Sequence, residues 1–273
     1  MIAFAANSVL CRKALAQCAI DPATFTLVRL TSGAAMLSLL VRIKGGGTGI
    51  GGSWRGALTL LAYAICFSFA YLSLASGTGA LLLFGAVQVT MIVRGLILGE
   101  RLSRVQWVGL VLAFLGLVIL TAPGVTAPEP LGAVLMVAAG VAWGAYSLLG
   151  RSTTSGPLVS NAGNFLRATP MAIVIAAVLA LRHYTSVDGP GLAYAVASGA
   201  IASGLGYALW YATLPHLTAA VAASIQLSVP VITAVGGALV LGEAITLRLT
   251  LASLAVLGGI ALVVQARLRQ MRG

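Results

Sequence analysis

Charge is what this sequence has least of. Only 8% of its 273 residues are Asp, Glu, Lys or Arg, against about a quarter in a soluble domain. A globule in water needs a polar exterior, and so few charges cannot cover one. A soluble enzyme and a disordered chain are both excluded. The three cysteines, Cys11, Cys18 and Cys66, form no Cys-x-x-Cys and no His/Cys cluster. Neither a metal site nor a disulfide framework is therefore indicated, and each reads as a small core residue. All five acids, Asp21, Glu100, Glu129, Asp188 and Glu243, fall in loops or at the ends of apolar runs, and His183 and His216 lie near loops. No paired acid and base or nucleophile beside histidine is left for an intramembrane enzyme, and no cofactor is indicated. Sixteen basic residues give a net charge of +11. They punctuate apolar runs one or two at a time rather than clustering, which argues against a nucleic-acid partner and for positive charge at the ends of membrane spans.

What is abundant is apolar sequence: 60% of residues are hydrophobic and the mean hydropathy is +1.05. Runs bounded by charge, Pro or Gly cover 1–18, 24–43, 55–76, 78–99, 105–122, 131–150, 157–181, 190–214, 217–242 and 248–266. Each is read as a membrane helix, because an isolated strand in lipid leaves backbone groups unpaired and no barrel-like alternation is visible. Asp21-Pro22 and Ser155-Gly156-Pro157 mark the starts of the second and seventh helices. The Gly-rich stretch from Gly45 to Gly52 lacks the Gly-Lys-Ser/Thr of a phosphate loop and is expected to be a flexible loop.

The two halves of the chain resemble each other. Leu98-Gly99-Glu100 recurs as Leu241-Gly242-Glu243, and Gly116 matches Gly259, both 143 residues on. Gln88 pairs with Gln226 and Ala70 with Ala208 at an offset of 138. Ala3-Phe4 through Ser8 to Arg12 matches Ala142-Trp143 through Ser147 to Arg151 at 139. Residues 1–122 and 131–266 thus read as two repeats of five spans, followed by a basic tail at 267–273. Twelve apolar residues precede Trp143 and three precede Phe4, so the first helix is expected to be truncated by about nine residues. Five being odd, the second repeat is expected to be inserted upside down relative to the first, an arrangement common in secondary transporters. With both termini cytoplasmic, nine basic residues lie on that side, four outside (Arg12, Lys13, Arg182 and Arg248), and Arg29, Arg94 and Arg167 within spans. Arg12 and Lys13 run locally against this orientation.

Two five-helix repeats, a Gly-Glu closing spans four and nine, and a Gly-rich last span in each repeat resemble the EamA family of the drug/metabolite transporter superfamily. The resemblance covers essentially the whole chain. It implies an all-α ten-helix membrane bundle with cytoplasmic termini, export or exchange of small metabolites, and a central cavity lined by spans 1, 3, 4, 6, 8 and 9. The fourth span departs from the pattern, with Ile92 or Val87 where the ninth has Pro230.

Helical spacing selects candidate substrate-binding faces. Ser203, Tyr207, Trp210 and Tyr211 form one stripe on the eighth span. Trp143, Tyr146, Ser147 and Gly150 form another on the sixth, and Tyr63, Phe67 and Tyr71 a third on the third span. Tyr211 reads equally as an interfacial anchor. Gln88 and Gln226 are amides in apolar runs, which face a cavity or bond another helix. Pro230 frees a backbone carbonyl that binds substrate or serves only as a bend. Arg29 and Arg167, seven and ten residues beyond Pro22 and Pro157, contact substrate or bond backbone carbonyls, and their depths are expected to mirror each other. Gly140 with Gly144 and Gly95 with Gly99 are expected to allow close helix packing. With no carboxylate mid-membrane, the function expected is proton-independent or weakly coupled transport of a zwitterionic or anionic solute with an apolar body, in a bacterial-type inner membrane. Its partners are then the lipid bilayer and a small-molecule substrate. Export of drugs or toxic cations is the alternative, ahead of a channel or a membrane scaffold.

Overall fold

Residues that cap helices fix where the apolar runs begin and end. Asp21 accepts hydrogen bonds from the backbone N–H groups of Ala23 and Thr24, with Pro22 in the first turn. Ser103 and Gln106 cap each other reciprocally. Asp188 takes the N–H of Gly191. Glu129 takes those of Gly132 and Leu131, which hold its exposed carboxyl below the ordinary carboxylate range. The glycines of the two Leu-Gly-Glu motifs, Gly99 and Gly242, both have left-handed φ, 88° and 69°, a conformation in which a helix stops at little steric cost. Gly99 is therefore a terminator rather than the packing residue expected with Gly95.

The computed structural model describes residues 1–45, 51–97, 99, 102–124, 127–150, 156–182, 185–213 and 225–270. The elements are α1 (Ile2–Gln17), α2 (Pro22–Ile43), α3 (Trp54–Ala70), α4 (Ser76–Ile97), α5 (Arg104–Thr121), α6 (Pro130–Gly150), α7 (Pro157–Ala180), α8 (Gly189–Thr213), α9 (Ser228–Leu241) and α10 (Leu247–Gln270). Among the described residues there is no strand. Seven helices, α2, α4 to α8 and α10, are long and apolar enough to cross a bilayer, while α3 and α9 are apolar but shorter. The side chains of Val105, Val108, Val111, Phe114, Leu115 and Val118 on α5 are exposed, as a lipid-facing helix requires.

Three local readings of the sequence are corrected. First, α8 is not uniformly α-helical: Ala197–Leu205 is a π-helical segment. A Cβ on Gly199 would lie 2.2 Å from the Arg29 carbonyl oxygen, so α8 is pressed against the α2 backbone, and apolar periodicity carries no sign of the wider turn. Second, the ninth run is interrupted. Residues 214–224 lie outside the described residues, Ile225 and Gln226 are helical, a turn follows at Leu227, and helix resumes at Ser228. Pro230 has no N–H to offer the Gln226 carbonyl four residues back, which accounts for the break. Third, the Gly-rich stretch is not loose throughout. Residues 46–50 lie outside the described residues, but a Cβ on Gly163 would lie 1.8 Å from the Gly51 carbonyl oxygen. The N–H of Ser53 donates to Asn164 Oδ1 at 2.9 Å, so Gly51 to Ser53 is clamped on α7.

Hydrogen bonds gather one set of helix ends together. Arg12 near the end of α1 reaches the Tyr71 and Leu72 carbonyls after α3. Glu243 after α9 reaches Ser76 at the start of α4. Ser73 bonds Glu129 before α6, and Ala19 bonds Asp188 before α8. Arg248 at the start of α10 bonds the Ala122 and Pro123 carbonyls after α5. Thus α1 ends where α6 begins. Arg12 and Lys13 are committed to carbonyls here, Lys13 to that of Val240.

The helices pack as α3 on α6, α1 on α8, α4 on α6, α1 on α9, α2 on α8, α3 on α7, and as the pairs α2–α7, α4–α9 and α5–α10. Gly140 and Gly144 lie on Leu83, Ala86 and Thr90 of α4, as expected of a small-residue face. The closest seam joins α5 to α10: a Cβ on Gly259 would lie 2.3 Å from the Gly109 carbonyl oxygen, and one on Gly109 2.4 Å from that of Gly259. Gly259→Ala is therefore expected to lower stability by about 1–3 kcal/mol through overpacking. Its neighbour Gly258, with no atom within 4 Å of an added Cβ, should tolerate alanine. Thermal unfolding of the two purified variants in one detergent compares them directly; equal midpoints would contradict the seam.

Candidate functional site

Arg29 is 1% exposed, on the inner face of α2. A guanidinium stays charged in a protein, so burial demands partners rather than neutralisation. The partners are hydroxyls. Nε donates to Ser203 Oγ at 3.1 Å, and Nη2 donates to Tyr63 Oη at 3.0 Å and Tyr207 Oη at 3.2 Å. The π-helical segment of α8 carries Ser203, and Tyr207 follows one turn on. Arg29 Cζ also lies 5.0 Å from the Tyr63 ring centre and 4.9 Å from that of Phe67, contacts worth about 0.5–2 kcal/mol each. Among the described residues the only arginine–carboxylate pair is Arg12 with Glu243. Arg29 has no counter-ion there, and its buried Nη1 has no hydrogen-bond partner.

The cluster continues through Asn7 of α1. Asn7 Nδ2 donates to Tyr63 Oη at 3.3 Å, while Ser198 Oγ donates to Asn7 Oδ1 at 2.6 Å. Aromatic rings wall it in. Trp143 lies 4.9 Å from Tyr63 and 4.7 Å from Tyr207 between centroids, and Phe4 touches Trp143, Tyr207 and Trp210 edge-on. Between them is a cavity of about 10 Å³ whose described lining comes from α1, α3, α4, α6 and α8, including Asn7, Ser8, Tyr63, Trp143 and Tyr207. That is room for a single water. The ninth span, expected to share in this lining, contributes none of the described lining residues. The cation instead comes from the second span, which was not expected to line it.

The other predicted residues divide. Ser203, Tyr207, Trp210 and Trp143 belong to this cluster. Tyr146 joins a second one: its Oη donates to Asn161 Oδ1 at 2.5 Å and accepts from Asn164 Nδ2 at 3.4 Å. Trp143 links the two clusters, 5.6 Å from the Tyr146 ring. Tyr211, 3% exposed and 6.3 Å from the Tyr146 ring, is interior rather than an interfacial anchor. Ser147 Oγ donates to its own helix, at the Trp143 carbonyl. Arg167 stands apart from Arg29 and is only partly buried. Its Nη1 donates to the carbonyls of Gly51 at 2.5 Å and Gly163 at 3.1 Å, and its guanidinium lies 5.9 Å from the Trp54 ring. The two arginines thus differ in burial and in partners. Gln88, Gln226 and Pro230 are buried. Gly77 of α4 lies on Ala234 of α9, and a Cβ on Gly237 would meet Ser76; this antiparallel register sets Gln88 and Gln226 at similar levels. Gln226 Oε1 has no partner.

Asn7 and Ser198 complete the Arg29 cluster beside Tyr63 of the expected α3 stripe, and neither was among the residues singled out for binding. Asn7 carries the same signal as Gln88, an amide in an apolar run, and Tyr63 was visible in the stripe on α3. Ser198 is a single small residue in a segment rich in them, and nothing local marks it.

The EamA-like transporter family matches residues 1–122 and 130–265. The chain is 54% identical over 269 residues to the uncharacterized protein PA1977 of Pseudomonas aeruginosa, covering 98% of this chain and 93% of that protein. It is 28% identical over 210 residues to an uncharacterized transporter of Archaeoglobus fulgidus, covering 75% of this chain and 74% of that one. A solved crystal structure shares the fold, with a TM-score of 0.65 and 20% identity over 96% of each chain. Apolar helices in numbers that only a bilayer accommodates, a polar cluster at their centre and the match across both halves agree: this chain is a multi-pass membrane transporter of the EamA-like family.

Proposed function

We propose that the chain carries a small solute with a carboxylate or other anionic group and an apolar body, the anionic group docking on Arg29. The observation that carries this reading is the buried Arg29 guanidinium, bonded only to hydroxyls and with Nη1 unpartnered. The cluster holds hydrogen-bond donors in excess, so the group it lacks is an acceptor, and a negative one removes the penalty of the buried cation. Trp143, Tyr207, Trp210 and Tyr146 supply aromatic surface for the apolar body. A cationic drug would meet the guanidinium instead.

The solute enters by alternating access between inverted repeats, residues 1–122 and 131–266, with both termini and the basic tail at 267–273 on the cytoplasmic side of a bacterial-type inner membrane. Export or exchange is the direction proposed. The helix pairing supports this symmetry. Exchanging each helix with the one five places on turns α3–α6 into α8–α1, α4–α6 into α9–α1 and α2–α8 into α7–α3, and returns α2–α7, α4–α9 and α5–α10 to themselves. A void that fits one water implies that helices separate to admit solute. Gln88 and Gln226, level with each other on α4 and α9, are proposed to face the solute path once it opens. Ser147 and Tyr211 line the far end of that path, Pro230 gives α9 its bend, and Arg167 braces the loop at Gly51.

Two outcomes are expected. In a thermal-shift screen of the purified protein against amino acids, carboxylates and organic cations, carboxylate-bearing solutes stabilise the wild type. Arg29→Gln weakens their apparent affinity by about 30-fold or more, the equivalent of roughly 2 kcal/mol; stabilisation by organic cations alone, unchanged in Arg29→Gln, would refute the assignment. In proteoliposomes, flux of a solute so identified continues when the pH gradient is collapsed at fixed voltage, since Arg29 has no carboxylate beside it to relay a proton. Flux that stops would indicate proton coupling.

A further inference from the structure

We propose that Arg12, Glu243 and Ser76 form the gate that closes one end of the bundle over the Arg29 site, a proposal that rests on the carrier reading above. Arg12 is near the end of α1, Ser76 opens α4, and Glu243 follows α9. The cluster therefore joins the first half of the chain to the second. Glu243 Oε1 lies 3.4 Å from Arg12 Nε, and Oε2 accepts from Ser76 N at 2.8 Å and Ser76 Oγ at 2.5 Å. Arg12 Nη1 donates to the Tyr71 and Leu72 carbonyls at 2.8 and 2.9 Å.

Position argues for a gate. Tyr63, Phe67 and Tyr71 follow one face of α3 at intervals of four, with ring centroids 5.3 and 4.8 Å apart. The column starts at the hydroxyl that Arg29 donates to and ends at the residue whose carbonyl Arg12 holds. Tyr71 Oη donates to the Ser76 carbonyl at 3.2 Å, tying the column to the ion pair. Phe67 and Tyr71, both fully buried, thus plug the way from the cavity to this end, and the charged cluster holds the plug from outside.

Chemistry argues that the contact is made and broken. The two charged side chains are 21% and 17% exposed, and an ion pair that water reaches separates at low cost, unlike a buried one. Their remaining partners are helix-end groups, the Tyr71 and Leu72 carbonyls after α3 and the N–H and hydroxyl of Ser76 at the start of α4, which water satisfies when the cluster opens. The Arg29 cluster, sealed in the core, has no such alternative.

The test uses Ser8→Cys, a cavity-lining position, in a chain whose Cys11, Cys18 and Cys66 are replaced by alanine. Labelling by the impermeant sulfonatoethyl methanethiosulfonate is timed from the outer side of whole cells. Glu243→Gln is expected to speed it about fivefold or more. Ser76→Ala, which keeps both charges and serves if Glu243→Gln does not accumulate, is expected to give a smaller rise. Labelling unchanged in both variants, while the reconstituted wild type moves solute, overturns the gate. Failure of the carrier reading differs: the wild type then moves no solute at all.

Discussion

A guanidinium enclosed by hydrocarbon and aromatic rings keeps its charge, and the centre of this bundle is organised around that constraint. Satisfying Arg29 takes a hydroxyl from α3 and two from α8, and the Tyr63 hydroxyl is in turn held by Asn7 of α1. Four helices are thereby fixed in rotation about one side chain. The π-helical turn of α8 belongs to the same constraint, since it lies where Gly199 touches the α2 backbone at Arg29.

Three arginines show how depth selects the partner. Arg29, sealed from water, is bonded to hydroxyls and rings. Arg167, half-buried, is spent on backbone carbonyls and fastens a loop to α7. Arg12, part-exposed near the end of α1, alone of the three has a carboxylate. Among the described residues the carboxylates of Asp21, Glu129, Asp188 and Glu243 are at helix ends, and Arg29 receives none.

Much of this was legible in the sequence. Apolar runs bounded by Asp21-Pro22, Gly156-Pro157 and the two Leu-Gly-Glu motifs gave the helices and their order, because caps and left-handed glycines are local chemistry. Burial of Ser203, Tyr207, Trp210 and Trp143 followed from helical spacing. The split of Arg29 from Arg167 did not, since both are one cation in an apolar run and only the neighbouring chain decides the partner. Asn7 carried the same signal as Gln88 without being singled out, and nothing local marks Ser198. The π-helical segment and the break at Leu227 alter the helix locally, which hydropathy averages away. The clamping of Gly51 to Ser53 depends on Asn164, more than a hundred residues distant.

The glycine seam between α5 and α10 has a mechanical corollary. Where Gly109 meets Gly259, main chain touches main chain, with no side chain between to roll or slide upon. The last helix of each half is thus welded to the other along a line at the edge of the molecule, with bulky apolar residues turned outward to the lipid. Should the halves rock during a cycle, that line is their natural axle, and the widest displacement falls on the helices farthest from it.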